Sequence, residues 1–243
     1  MPKREKKSSK RRAPRIVVFT GNPGVGKTHL VKQHVLHTEE AGFEGQWQLV
    51  KHHAPKKKNP QVVFHESIGG EVVVVGGYKW PEDKEFWGKR SGTQPANGGT
   101  DTLTPQSTGL VVELLRGELL RDGAEAPKLV IMEACAEAKL GRPTILDALL
   151  DAPTLDVLEL QRPRAEAIAA LESRPRDADG KGVKDVPAPE MHDQFSRQVA
   201  KVRTAFRTRA LSRGIAQRTD AWRQVSYKEA CDKIESILAE VMA

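Results

Sequence analysis

The sequence predicts an α/β domain with a mainly parallel central sheet, and three observations carry that expectation. RIVVFT (15–20) is an apolar, β-branched run followed at once by a glycine-rich loop and a helical pattern. KLVIMEA (128–134) is a run too apolar to be anything but a central strand, and TLDVLEL (154–160) reads as another buried strand. Between and after them lie segments with helical periodicity, the order that builds a layered α/β fold.

The bulk figures frame this. A chain of 243 residues, 38% apolar, can bury a substantial core as one large or two small domains. No apolar run approaches a membrane span, and the N-terminus has no apolar signal region, so a cytoplasmic location with no membrane partner is expected. Cys135 and Cys231 suit a reduced interior better than a disulfide framework.

Charge is unevenly placed. Lys3, Arg4, Lys6, Lys7, Lys10, Arg11, Arg12 and Arg15 face only Glu5, a surplus equal to the whole chain's +7. Residues 1–14 therefore read as a disordered basic tail before a balanced domain spanning 15–243. Such a tail either grips phosphates through counterion release or merely aids solubility.

The first strand leads into GNPGVGKT (21–28), which matches G-x-x-x-x-G-K-[ST] in its required strand–loop–helix setting, with HLVKQHVLH continuing as a helix. The spacing has a physical reason: glycines let backbone N–H groups turn inward around phosphate oxygens at the positive end of a helix. Gly21, Asn22, Pro23, Gly24, Val25, Gly26, Lys27 and Thr28 are thus the expected cradle of ATP. Lys27 would reach the β/γ-phosphates, and the Thr28 hydroxyl would ligate Mg²⁺.

No N-K-x-D base-reading motif is present, which argues against a GTPase. The strand at 128–134 ends in a single acid, Glu133, expected beside the loop as a holder of Mg²⁺ or its water; the bland alternative is a strand-end carboxylate with no task. QWQLV, QVVFHES and EVVVVGGYK read as a small strand meander within about 45–100.

In the C-terminal half, RPRAEAIAALESRPR reads as a helix and DADGKGVKDVPAP (177–189) as a loop. Met191, Phe195, Val199, Val202 and Phe206 mark one face of a long helix, whose Arg203, Arg207 and Arg209 read as its wet side. QRTDAW is a short strand candidate. Ser226 and Glu229 make a capping box for the last helix.

This order resembles the nucleoside and nucleotide monophosphate kinases. The resemblance implies a lid at about 161–190, where Arg162, Arg164, Arg174 and Arg176 would offset charge on the transferring phosphoryl group, with Arg162 and Arg174 on the nucleotide. The Asp-Arg pair many deoxynucleoside kinases carry after the central strand is absent, since Glu133 is followed by alanine. The pattern G-G-Y, then GGTD (98–101), then Thr104-Pro105 and a helix, is similar to that of phage-encoded P-loop kinases phosphorylating 5-hydroxymethyluracil in DNA. That likeness implies a kinase acting in thymine hypermodification, with DNA as substrate and a flipped-out base if the DNA is duplex.

Asp101 has two readings. Gly98 and Gly99 permit a tight turn in which aspartate is common. Thr104 and Pro105, however, already supply the cap of the next helix, leaving Asp101 available as base or orienting group for the attacking hydroxyl. Glu133 would then serve the metal, although the two roles are exchangeable.

Tyr78, Trp80, Phe86 and Trp87, interleaved with Lys79, Lys89 and Arg90, read either as a stacking platform or as core. Lys51 and Lys56–Lys58 read as a basic hairpin tip for DNA phosphates or as a solvated loop. His52 and His53 lack partners at metal-ligand spacing. Rival expectations are a free nucleoside or deoxynucleoside monophosphate kinase, and a nucleic-acid-dependent P-loop ATPase.

Overall fold

The computed structural model describes residues 14–36, 47–52, 62–76, 78, 127–134, 140–173 and 187–242. In chain order the strands are β1 (Arg15–Thr20), β2 (Trp47–His52), β3 (Val62–Ser67), β4 (Val72–Val75), β5 (Leu129–Glu133), β6 (Thr154–Gln161) and β7 (Trp222–Ser226). The helices are α1 (Lys27–Leu30, continued by a π turn over Val31–Val35), α2 (Pro143–Leu150), α3 (Arg164–Glu172), α4 (Ala188–Ser212) and α5 (Tyr227–Met242).

The strands form a single sheet in the order β2-β3-β4-β5-β1-β6-β7. β4, β5, β1, β6 and β7 run parallel, while β2–β3 and β3–β4 pair antiparallel. The expected meander is therefore present, but it extends the central sheet at one edge, because β4 pairs directly with β5.

Strand alternation explains the layering. Ile16, Val18, Val73, Val75, Val130 and Met132 face α2 and the apolar stripe of α4, including Val199, Val202 and Phe206. Val17, Phe19, Val72, Val74, Leu129 and Ile131 face α1 and the buried side of α5. Helices thus cover both faces, and a sheet buried on two sides needs near-continuous apolar strands. β1, β4 and β5 have that character.

Two buried carboxylates pin the outer strands. Asp156 on β6 accepts Arg15 Nε at 2.8 Å and also pairs with Arg223 of β7. Arg15, last of the basic run, therefore belongs to the sheet. Glu159 accepts Arg203 Nη1 at 2.6 and 2.7 Å, the buried Trp222 indole at 2.7 Å and Gln224 at 2.9 Å. Arg203 is accordingly no wet-face residue; Arg209 stays solvent-accessible, its side chain 36% exposed, while its guanidinium pairs with Asp147 of α2 at 2.5 and 2.7 Å.

The strand expected at QRTDAW begins later. Ala216–Ala221 instead form a 3₁₀ turn. Thr219 Oγ1 donates to the Ala216 carbonyl at 2.7 Å, and Arg218 reaches the carbonyl oxygens of Ala152 and Pro153, both at 2.6 Å. These side-chain bonds favour the turn over extended pairing. β7 starts only at Trp222, which packs on Phe206 with ring centroids 5.4 Å apart. The capping box forms as expected: Glu229 accepts the Ser226 N–H at 2.7 Å, and Ser226 Oγ accepts the Glu229 N–H at 3.2 Å. Among the described residues no helix is long and apolar enough to cross a membrane.

Candidate functional site

The carboxyl ends of parallel strands are where an α/β sheet opens a crevice, because the chain leaves neighbouring strands there in different directions. β1 ends in the Gly21–Thr28 loop, β5 beside it ends in Glu133, and β6 on its other side ends in Gln161. These termini, with the starts of α3, α4 and α5, enclose a cleft of about 990 Å³ lined by Lys27, Thr28, Glu133, Arg162, Phe195 and Tyr227 among others. That volume suits a ligand of nucleotide size.

The loop is pressed from two sides, and glycine is what lets it fit. Gly24 has φ +84°, and a Cβ there would lie 2.4 Å from the Ala167 carbonyl oxygen of α3. Gly26 has φ +96°, and its Cβ would meet the Tyr227 ring at 2.9 Å. Both conformations disfavour any side chain, and both contacts leave no room for one. Arg162 Nη1 donates to the Gly24 carbonyl at 3.2 Å, adding a third hold on the same turn.

Inside the loop, Lys27 Nζ donates to the carbonyl oxygens of Gly21 and Asn22, both at 2.9 Å. The buried ammonium is thereby held across the turn whose amides it would share with an anion. The Thr28 hydroxyl donates to Glu133 Oε1 at 2.5 Å, which joins the first turn of α1 to the end of β5. Glu133, only 3% exposed, takes a second hydroxyl on Oε2, from Tyr78 at 3.1 Å.

The loop is also latched to α4. Asn22 Nδ2 donates to Ser196 Oγ at 2.7 Å and to His192 Nε2 at 3.1 Å. With Nε2 as acceptor, the His192 proton sits on Nδ1, facing Asp193 Oδ1 at 3.4 Å. Asp193 in turn receives both arms of Arg164 at 3.0 and 2.9 Å. Arg164 chiefly, then His192, holds the Asp193 carboxyl down to about 2. Arg164 is thus committed to an exposed pair joining α3 to α4.

Of the residues expected in the site, Pro23–Thr28, Glu133 and Arg162 line the same cleft, and Gly21 and Asn22 offer their carbonyls to Lys27. Asp101, Arg174, Arg176, Lys56–Lys58, residues 1–13 and the Trp80–Trp87 aromatics lie outside the described residues. Of its two readings Tyr78 takes the core one: it is 1% exposed, with its hydroxyl on Glu133. His65 fixes it: the Tyr78 N–H donates to His65 Nε2 at 3.2 Å, and the rings lie 5.8 Å apart. Burial pushes His65 down to about 4, so the imidazole stays neutral and keeps its acceptor nitrogen.

Sequence reasoning missed three participants. Ser196 follows Phe195 on the helix face already marked as inward, and that adjacency was the available signal. His192 likewise follows Met191. Tyr227 follows the capping serine of α5 and covers Gly26, which only the folded loop reveals.

Hydroxyl and carboxylate oxygens of the Thr28–Glu133 type are hard donors that suit Mg²⁺, and the glycine cradle with its lysine suits phosphate. Comparison with protein-family models, curated proteins and solved structures found no match.

Proposed function

We propose that this protein is an ATP-dependent, P-loop-type kinase whose phosphoryl acceptor is the hydroxymethyl group of 5-hydroxymethyluracil in DNA. The observation that carries the nucleotide reading is the meeting of Lys27, Thr28 and Glu133 at the adjoining ends of β1 and β5. The acceptor reading rests on the GGTD segment and the basic N-terminal run of the sequence.

Thr28 and Glu133 would hold Mg²⁺, and Gly21–Thr28 would hold ATP, which supplies the γ-phosphoryl group. Lys27 would exchange two loop carbonyls for phosphate oxygens and offset their charge. Arg162, already on the rim of the loop, would add positive charge from the α3 side, and Arg174 from the segment beyond. Asp101 would orient the acceptor hydroxyl and accept its proton as the hydroxyl oxygen bonds phosphorus and ADP leaves. The basic tail and Lys56–Lys58 would hold DNA phosphates without reading sequence.

The test is transfer of labelled γ-phosphate from ATP to DNA containing 5-hydroxymethyluracil, ordinary DNA or free nucleosides and nucleotides. The proposal expects label only in hydroxymethylated DNA, lost on Lys27→Ala and on Asp101→Asn. Label in a free nucleoside or nucleotide would make it a metabolite kinase. Phosphate release with no labelled acceptor would make it a nucleic-acid-dependent ATPase.

A further inference from the structure

We propose that Tyr78 is a positioning residue for Glu133, setting the carboxylate's orientation toward the metal; this rests on the reading of Thr28 and Glu133 as the Mg²⁺ holders. The geometry divides the two carboxylate oxygens between two roles. Oε1 faces Thr28 at 2.5 Å, on the side of the glycine loop, while Oε2 faces Tyr78 at 3.1 Å, on the side of β4. An ionised carboxylate offers about four acceptor positions, so a donor fixed on Oε2 leaves Oε1 with lone pairs to present to a cation. A carboxylate at a strand end with no such donor would rotate about its last torsion, which is broad and roughly two-fold.

Tyr78 is itself built to be rigid. It lies just past the last paired residues of β4 and β5, Val75 and Met132, which carries its ring over the end of β5. The ring is 1% exposed. Its backbone N–H is held by His65 of the neighbouring strand β3, also buried. The line of contact therefore runs from β3 through Tyr78 to Glu133 and on to Thr28, across strands far apart in sequence. Hydrogen-bonding partners of metal-holding carboxylates commonly change metal affinity or activity by about 10- to 100-fold when removed.

The experiment is binding of labelled ATP at a series of Mg²⁺ concentrations, followed by phosphoryl transfer at saturating ATP. Tyr78→Phe keeps the ring and deletes only the hydroxyl. It is expected to raise the half-saturating Mg²⁺ concentration about 10-fold or more and to lower kcat, with KM for the acceptor unchanged. A second route reaches the same hydroxyl through its support. His65→Leu removes the acceptor of the Tyr78 N–H and should shift the Mg²⁺ requirement in the same direction. His65→Gln, whose amide oxygen can take that N–H, should restore it. A folded Tyr78→Phe protein with the wild-type Mg²⁺ requirement would overturn the inference while leaving the kinase reading intact. ATP binding by the wild-type protein that ignores Mg²⁺ would remove the underlying reading and the inference with it.

Discussion

Thr28 and Glu133, 105 positions apart, meet through a 2.5 Å hydrogen bond that joins the start of α1 to the end of β5. The bond exists because β1 and β5 are parallel neighbours in register, Phe19 opposite Glu133, so both chains leave the sheet at the same level. A hydroxyl and a carboxylate so placed, beside a lysine held over a glycine turn, give the protein its candidate chemistry. The surrounding contacts make separate claims on stability.

Gly24 is where the loop presses hardest on α3. Gly24→Ala is expected to cost more than about 2 kcal/mol, combining left-handed strain with a contact against the Ala167 backbone. Gly214→Ala provides the comparison, since Gly214 has φ +70° but nothing within 4 Å of its Cβ position. That substitution should cost only about 1 kcal/mol, the conformational part alone. Urea denaturation of both variants measures the difference, and equal losses would mean that α3 yields to the added methyl.

Glu159 anchors α4 and β7 to β6 through Arg203, Trp222 and Gln224. Glu159→Ala leaves a partly buried guanidinium and a buried indole N–H without their acceptor, so a loss of about 3 kcal/mol is expected. Replacing the partners together, Glu159→Leu with Arg203→Met, should recover part of that loss, because no uncompensated charge remains. Chemical denaturation of the single and double variants checks this. A single variant within about 0.5 kcal/mol of wild type would show that the ion pair is replaceable by water.

His65 gives the fold a defined acid sensitivity. Its pKa is lowered from about 6.5 to about 4 by burial, so below pH 6.5 the unfolded chain binds a proton that the native protein refuses. Stability from this group is complete above pH 6.5 and falls as pH drops toward 4, by about 3 kcal/mol in all at 1.36 kcal/mol per unit. Denaturation midpoints of wild type and His65→Gln between pH 7 and pH 4 should diverge, the variant losing less. Parallel curves would contradict a neutral, buried His65.

The extent to which all this could be read from sequence follows the range of the interactions. β1, the loop, β5, β6, α3, α4 and α5 are visible because apolar runs, glycine spacing and helical periodicity are local signals. Glu133 is visible because a strand ending in an acid falls at the same sheet edge as the loop. That Tyr78 is core is legible from its place after a strand, but its bond to Glu133 depends on β4 lying beside β5, which no local pattern around GGY expresses. Arg203 is misread because it follows the inward Val202 by one position, on the flank of the apolar stripe, where a long guanidinium can still reach Glu159. The 3₁₀ turn before β7 depends on Arg218 reaching carbonyls more than sixty residues away.

The most direct test of the central claim is equilibrium binding of ATP, with and without Mg²⁺, to wild type, Lys27→Ala and Glu133→Gln. The account predicts Mg²⁺-dependent binding by wild type, weakened about 10-fold or more by loss of the Lys27 charge. It predicts that Glu133→Gln binds ATP alone as wild type does but loses the gain from Mg²⁺. Equal binding by all three proteins, with and without the metal, would contradict it.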